Sequence, residues 1–157
     1  MAVHVVLYQP QIPANTGNIA RTCAGTDTGL HLIGPLGFSK DDKRLKRAGL
    51  DYWEHVKITY YESLDDFYEK NAGGNFFYIT KSGQKEFSSF DYSDSSKDYY
   101  FIFGRETTGL PKDIIENNLE SSLRIPMSEN MSSLNMSNTA AILIYEALRQ
   151  QDYPNLK

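Results

Sequence analysis

Short apolar runs of strand length alternate along this chain with segments of helical periodicity, and this alternation constrains the fold most strongly. The predicted strands are residues 3–8, 30–33, 56–60, 76–80, 99–103 and 122–125. The predicted helices are residues 18–28, 40–47, 64–70, 111–117 and 134–151. Alternating strands and helices, with nearly continuous apolar side chains in the strands, are typical of α/β proteins. The sequence therefore predicts an α/β fold in which helices flank a mostly parallel sheet.

The length and the cysteine content limit the class of protein further. The 157 residues suit one hydrophobic core, and no linker or repeat divides the chain, so a single domain over residues 1–157 is predicted. No apolar run reaches the roughly 18 residues of a membrane span, and no signal-peptide pattern is recognised. The one cysteine, Cys23, fits a reducing compartment. We therefore expect a cytoplasmic protein without membrane contact.

The net charge of −4 argues against a general affinity for nucleic acid. One segment, SKDDKRLKRAG, nevertheless places five cations within eight residues: Lys40, Lys43, Arg44, Lys46 and Arg47. On charge alone, this segment is a solvated helix face that two aspartates partly balance. Its interpretation as a nucleic-acid contact depends on the motifs at the strand ends.

The first motif, N-T-G-N-I-A-R, follows the first predicted strand and spans residues 15–21. Asn18 and Arg21 are three residues apart, so they share one face of the predicted helix. An arginine and an asparagine near a helix start suit the binding of phosphate or ribose. The alternative is a helix N-cap at Asn15 or Asn18 beside an ordinary surface arginine.

The second motif, F-G-R-E-T-T-G-L-P, joins the predicted strand 99–103 to a helix that starts at proline. Gly104 would allow the backbone to approach a ligand closely. Glu106 precedes a helix start, where a carboxylate is favoured by the helix dipole. The alternative is a plain turn between a strand and a helix.

The third motif begins with I-P-M at residue 125 and continues through a Ser-rich loop into L-N-M-S-N at residues 134–138. Asn135 and Asn138 are predicted to share a helix face. The alternative is N-capping of the last helix by Ser132, Ser133 or Ser137, which would leave the asparagines unexplained.

Several signatures of other chemistries are missing from the sequence. There is no G-x-G-x-x-G, no phosphate-binding G-x-x-x-x-G-K-[ST] and no G-x-S-x-G. The three histidines, His4, His31 and His55, are scattered, so no metal site is expected. His4 lies in a predicted strand and is interpreted as structural.

Together, the three motifs resemble those of the SPOUT, or α/β-knot, RNA methyltransferases, in order and in spacing, and the similarity runs nearly end to end. The short chain and the segment DDKRLKRAGLDYW look like the subgroup that methylates the ribose 2′-hydroxyl of the wobble nucleotide, C or U, in certain leucine tRNAs. The resemblance implies a deep trefoil knot in the C-terminal part of the fold, a homodimer, and S-adenosylmethionine as the methyl donor. Other tRNA or rRNA targets, and a non-catalytic RNA-binding role, remain as alternatives.

The resemblance also implies roles for particular residues. Arg21 would orient the ribose and stabilise the developing alkoxide, because arginine holds its proton too tightly to serve as a base. Asn18 and Asn138 would align the ribose or Arg21. The implied cofactor residues are Ile79, Thr80, Gly104, Glu106, Ile125, Ser133 and Leu134. The implied contacts to the tRNA anticodon loop are Lys43, Arg44, Arg47 and Tyr52.

Overall fold

The computed structural model describes residues 2–157, with the backbone alone described at residues 46 and 49–52. Its seven strands are β1 (Val3–Tyr8), β2 (Gly29–Ile33), β3 (Ile58–Tyr61), β4 (Asn75–Ile79), β5 (Lys85–Glu86), β6 (Tyr99–Phe103) and β7 (Ser122–Arg124). Its helices are α1 (Pro13–Thr26), α2 (Lys43–Gly49), α3 (Leu64–Lys70), α4 (Lys112–Glu116) and α5 (Met136–Gln150). Short 3₁₀ turns lie at Leu50–His55, Phe87–Ser89 and Leu119–Ser121.

The seven described strands form one sheet in the order β3-β2-β1-β6-β4-β7-β5, and all of their pairings are parallel. The strand order reverses between β1 and β6, where Leu7 pairs with Phe103. In open α/β sheets, ligands bind beyond the carboxyl ends of the strands at such a reversal. The loops after β1 and β6 carry the first and second motifs, so the topology brings these motifs together.

Helices cover both faces of the sheet, as predicted. The odd positions of β1, Val3, Val5 and Leu7, pack with buried side chains of α1 and α5. The even position Val6 belongs to the opposite cluster, which includes Phe67 of α3. This alternation follows from the two-residue period of a strand. The predicted α/β architecture is therefore confirmed, while the predicted knot remains a prediction that strand order does not test.

The predicted elements occur in the predicted order, and the bounds 3–8, 64–70 and 99–103 are reproduced. The predicted start of α1 is wrong, because the helix begins at Pro13 and not at residue 18. Proline is tolerated in the first turn of a helix, where its missing N–H has no partner to lose. Strand β5 was not predicted, because two exposed charged residues carry no apolar strand signal.

Helix α2 is held against α1 by close backbone contact. A Cβ added at Gly17 would lie 2.5 Å from the Leu45 carbonyl oxygen and 2.6 Å from the Ala48 Cβ. No side chain fits in that space, so glycine permits the two helices to touch. The basic segment is thereby fixed beside the helix that carries Arg21.

A buried polar network connects the first strands on the α3 face. His31 lies 2.8 Å from the Tyr61 hydroxyl and 3.0 Å from His4, and His4 lies 2.9 Å from Asp98. The Asn71 amide donates to the Tyr61 hydroxyl, which can donate its own hydrogen to Nδ1 of His31. His31 Nε2–H then donates to His4, whose Nε2–H donates to Asp98. These contacts join β1, β2 and β3 through one set of polar side chains.

No described helix has the length and apolarity needed to cross a membrane.

Candidate active site

A cavity of about 750 Å³ opens where β4, β6 and β7 end. The pairings of Ile79 with Phe103 and with Leu123 align these three strand ends. The loops that continue from the strands form the walls. The lining residues lie within three segments, residues 79–82, 103–110 and 124–136, together with Asn15 and Thr139. The second and third motifs therefore build one concave site.

The wall after β6 is a tightly closed loop. Arg105 and Gly109 exchange backbone hydrogen bonds of 3.1 and 2.8 Å, so the chain reverses within five residues. A Cβ at Gly104 would lie 2.1 Å from backbone atoms of Gly109 and Leu110. Gly109 has a φ of +72°, which glycine adopts without strain. The two glycines therefore determine the shape of this wall.

Side chains tie this wall to the loop after β1. The guanidinium of Arg105 donates to Oε1 of Gln9, at 2.8 Å from Nε, and packs 5.0 Å from the centre of the Tyr8 ring. Gln11 accepts hydrogen bonds from the backbone and the hydroxyl of Thr107, at 3.1 and 2.8 Å. The loop that carries the first motif and the wall of the cavity therefore form one unit.

Glu106 provides the cap that α1 lacks. The N-cap residue of α1 is Ile12, whose side chain cannot accept a hydrogen bond. The Glu106 carboxylate accepts hydrogen bonds from the backbone N–H groups of Gln11 and Ile12, at 2.9 and 2.8 Å. Negative charge is favoured at a helix N-terminus, where backbone N–H groups lack partners. The alternative interpretation, an N-cap at Asn15 or Asn18, is therefore wrong.

Asn15 links this cap to the third motif. Its amide donates to Glu106 at 3.4 Å, and its Oδ1 accepts a hydrogen bond of 3.1 Å from Asn135. Asn135 is also the N-cap of α5, where its Oδ1 accepts from the Ser137 N–H at 2.9 Å. Capping of α5 by Ser132, Ser133 or Ser137 is therefore wrong. A continuous set of hydrogen bonds thus joins all three motifs.

All seven residues predicted to hold the cofactor line this cavity: Ile79, Thr80, Gly104, Glu106, Ile125, Ser133 and Leu134. Their roles toward a ligand remain predictions. Two residues that the sequence had suggested only as helix caps or face partners, Asn15 and Asn135, line it as well. Asn15 belongs to the same motif as Arg21, and Asn135 follows Ser133 closely, so both neighbourhoods are visible in the sequence. The contact between Asn15 and Asn135, which are 120 positions apart, is not visible there.

The three residues predicted to be catalytic are arranged differently. Asn18 and Arg21 lie on one exposed side of α1, and Asn138 is exposed in the first turn of α5. None of the three is among the described residues that line the cavity of this chain. Arg21 is six residues beyond Asn15, a rise of about 9 Å along the helix.

Lys43, Arg44 and Arg47 are exposed on α2, as predicted for a surface that meets RNA. Arg44 pairs with Asp42, with its Nη2 3.0 Å from the carboxylate, and this hydrogen bonding lowers the pKa of Asp42. The charge of Arg44 is therefore partly balanced within the protein. The side chain of Tyr52, the fourth predicted RNA contact, lies outside the described part of the chain.

Fold and cavity together define a class of enzyme: a parallel α/β protein with a ligand cavity formed by strand-end loops. Residues 2–145 match the SpoU rRNA methylase family, and the chain belongs to that family. It is therefore a methyltransferase that uses S-adenosylmethionine, and the class and cofactor predicted from the three motifs are confirmed.

Individual relatives agree with this assignment. The chain is 44% identical to the tRNA (cytidine(34)-2′-O)-methyltransferase of Escherichia coli, over 97% of this chain and 96% of that protein. A crystal structure from Bacillus anthracis has 71% identity and a TM-score of 0.94, covering 99% of this chain and 98% of that one. A structure concerned with 2′-OH methylation of C/U34 on tRNA has 39% identity and a TM-score of 0.89, covering 96% of each chain.

A more distant structure concerns the cofactor. The AdoMet-bound rRNA methyltransferase of Sinorhizobium meliloti has 25% identity and a TM-score of 0.82, and the match covers 94% of this chain and 56% of that one.

The cavity of this chain fits such a cofactor. A volume of about 750 Å³ is within the range of small-molecule sites. Apolar walls at Ile79, Ile125 and Leu134 suit a purine ring. When bound, S-adenosylmethionine supplies an activated methyl group, so the protein has mainly to position the acceptor.

Proposed function

We propose that this protein transfers a methyl group to the ribose 2′-hydroxyl of the wobble nucleotide, C or U, of leucine tRNAs. The observation that carries the proposal is the cavity joined by hydrogen bonds to the Arg21-bearing helix, in a chain 44% identical to an enzyme named for cytidine 34 of tRNA. We further propose a cytoplasmic protein with a single methyltransferase domain over residues 1–157. The seven cavity-lining residues predicted from the sequence are proposed to hold the cofactor.

Arg21 is proposed to stabilise the alkoxide that develops on the ribose and to orient the ribose through a neighbouring phosphate. Asn18 lies on the same exposed side of α1 as Arg21 and would align the Arg21 side chain. Asn138 would contact the ribose. The charge of a guanidinium persists at neutral pH, which suits electrostatic stabilisation and excludes proton abstraction. A role at the reacting atoms requires Arg21 to reach a cofactor cavity.

A homodimer would meet that requirement, because Arg21 does not line the cavity of its own chain. We propose that α1 and α5, which lie together on one face of the sheet, form the subunit interface. Tyr145 on α5 and Ile12 at the start of α1 are large side chains that remain 50% and 42% exposed. Burial of such surface is a main source of association free energy.

The anticodon loop is proposed to meet Lys43, Arg44, Arg47 and Tyr52. Lysine and arginine bind phosphate regardless of sequence, and a dimer would present two copies of α2 as local basic surfaces despite the net charge of −4 on each chain. Aromatic side chains stack on unpaired bases, which is the proposed part of Tyr52.

The proposed reaction is tested with bulk tRNA from a strain that lacks the gene. The tRNA is treated with purified protein and labelled S-adenosylmethionine, and nucleosides and RNase fragments are analysed by mass spectrometry. Label on the ribose of the wobble pyrimidine of leucine tRNA is the expected result. Label at another site in tRNA or in rRNA would retain the enzyme class and exclude the wobble assignment.

The role of Arg21 is tested with Arg21→Ala and Arg21→Lys. We expect both variants to bind S-adenosylmethionine normally, with a large fall in kcat for Arg21→Ala and partial activity for Arg21→Lys. Full activity in Arg21→Ala would exclude the proposed role.

A further inference from the structure

The walls of the cofactor cavity contain more cationic than anionic side chains, and binding of the cofactor does not require this excess of positive charge. Three cations, Lys81, Arg105 and Arg124, and one carboxylate, Glu106, are among the described residues that line it. Arg105 is held by Gln9, and both oxygens of Glu106 accept hydrogen bonds from the backbone just before α1. S-adenosylmethionine carries two cationic groups and one carboxylate, so it would gain little from additional cations. An anionic ligand would gain more.

Lys81 and Arg124 are brought to the same place by the sheet. Ile79 pairs with Leu123, and the backbone N–H of Thr80 donates to the Leu123 carbonyl oxygen at 3.1 Å. Each cation comes immediately after this last pair, Lys81 after Thr80 and Arg124 after Leu123. The two cations therefore leave the ends of neighbouring strands side by side.

A tight turn keeps Lys81 at this position. The N–H of Gly83 donates to the Thr80 carbonyl oxygen at 3.2 Å, and the Thr80 and Ser82 hydroxyls are 3.1 Å apart. A Cβ at Gly83 would lie 2.5 Å from the carbonyl carbon of Leu123. The turn is thus packed directly on the backbone of β7, beside Arg124.

Both cations are available to a ligand. Within the described part of the chain, neither the Lys81 nor the Arg124 side chain takes part in a hydrogen bond or an ion pair. The third cation of the cavity wall, Arg105, is engaged by Gln9. An unpaired lysine and arginine at the wall of a cavity form a site that favours an anion.

We propose that Lys81 and Arg124 bind a backbone phosphate of the RNA next to the ribose that is methylated. This inference rests on the proposed function. A guanidinium can donate to two oxygens of one phosphate, and lysine adds a point charge, so the pair holds the nucleotide at the cavity mouth. Both are positioning residues. The other anion that could occupy the site is the carboxylate of the cofactor itself.

The test compares Lys81→Met, Arg124→Met and Arg124→Lys with the wild type, and uses Lys97→Met as a control. Lys97 is exposed in the loop before β6, at the amino-terminal end of the parallel strands, whereas the cavity lies at their carboxyl ends. The measurements are kcat and KM with a synthetic leucine anticodon stem-loop, RNA affinity by fluorescence anisotropy, and S-adenosylmethionine affinity by calorimetry. The kinetic and RNA-binding measurements are repeated over a range of salt concentrations.

We expect each Met variant to weaken RNA binding about tenfold and to reduce the salt slope of log affinity by about 0.7 per lost contact. Cofactor affinity should not change, and Arg124→Lys should retain part of the RNA affinity. Loss of cofactor affinity with an unchanged salt slope would assign the cations to the cofactor carboxylate and overturn the proposal. Variants equal to Lys97→Met in every measurement would also overturn it.

Failure of the proposed function would give a different result. A wild-type protein that methylates no RNA would contradict that function, while anisotropy would still report whether the two cations bind RNA.

Discussion

The carboxylate of Glu106 accepts a hydrogen bond of 2.8 Å from the backbone N–H of Ile12, a residue 94 positions earlier in the chain. The wall of the cofactor cavity thereby caps the helix that carries Arg21. Any displacement of the loop after β6 removes the cap from α1. The cavity and the exposed arginine are therefore mechanically connected, although neither touches the other in this chain.

Replacing Glu106 with Gln tests this connection. The amide keeps one acceptor and places an NH₂ group against backbone donors, so the cap is weakened. We expect the free energy of unfolding to fall by about 1–3 kcal/mol, with lower methyl transfer, as measured by urea denaturation and by turnover. Glu116→Gln, at an exposed position in α4, is the control. Equal stability of the two variants would mean that the cap contributes nothing.

Gly104→Ala tests the closed wall of the cavity. The added methyl would lie 2.1 Å from the backbone of Gly109 and Leu110, so the loop must open. We expect a loss of about 1–3 kcal/mol or more in stability and loss of cofactor binding in calorimetry. Lys112→Ala, at an exposed position in α4 outside the cavity lining, should bind the cofactor as the wild type does. Normal cofactor affinity in Gly104→Ala would show that the loop can open without affecting cofactor binding.

Gly17→Ala separates RNA binding from cofactor binding. Its methyl would meet the backbone of α2 at 2.5 Å and displace the basic helix. We expect weaker RNA affinity and lower stability, with cofactor affinity preserved. Gly25→Ala is a control on the same helix, because nothing lies within 4 Å of its Cβ. That control should gain about 0.5–1 kcal/mol from the higher helix propensity of alanine. Unaltered RNA affinity in Gly17→Ala would exclude α2 from the RNA contact.

The buried imidazole of His31 predicts a pH dependence of stability. Burial first, and then the charges of His4 and Lys57, lower its pKa to about 3. Unfolded histidine titrates near pH 6.5, so between about pH 6.5 and 3 only the unfolded chain takes up this proton. The contribution of His31 to the free energy of unfolding is therefore fully present above about pH 6.5. It decreases as the pH falls below that value, by up to about 1.4 kcal/mol per pH unit.

Denaturant titrations at several pH values measure this slope in the wild type and in His31→Phe. The variant loses the hydrogen bonds to His4 and Tyr61, so it should be less stable at neutral pH, with a shallower slope. His55→Gln, at an exposed position, should keep the wild-type slope. The same slope in His31→Phe would show that other groups cause the dependence.

Much of the fold could be predicted because strand and helix signals are local. The apolar run of β6 and the helical spacing of apolar residues in α3 indicate where each element begins and ends. The predicted bounds of both elements agree with the structure. Pro13 was a local signal for the start of α1 that the prediction missed, whereas the cap that Glu106 supplies from a distant loop is not visible in the sequence. Without that carboxylate, the residues before Asn18 have the composition of a polar loop.

The candidate site shows the same division. Each of the three motifs could be recognised as a polar strand end, and the resemblance to the RNA methyltransferases placed seven residues that line the cavity. Asn15 and Asn135 were treated as caps or helix-face partners, because their mutual hydrogen bond joins segments 120 positions apart. Lys81 and Arg124 lie outside the motifs, and only the pairing of β4 with β7 brings them together.

The sequence by itself determined the order of elements, the two-sided burial of the sheet and the chemistry available at each strand end. These properties follow from the hydrophobic period and from residue type, which act over a few neighbours. Tertiary structure alone decided which strand ends are adjacent, which carboxylate caps which helix, and which cations share a cavity wall. Such contacts depend on the strand order, because parallel neighbours in a sheet are brought together by crossovers and not by proximity in the chain.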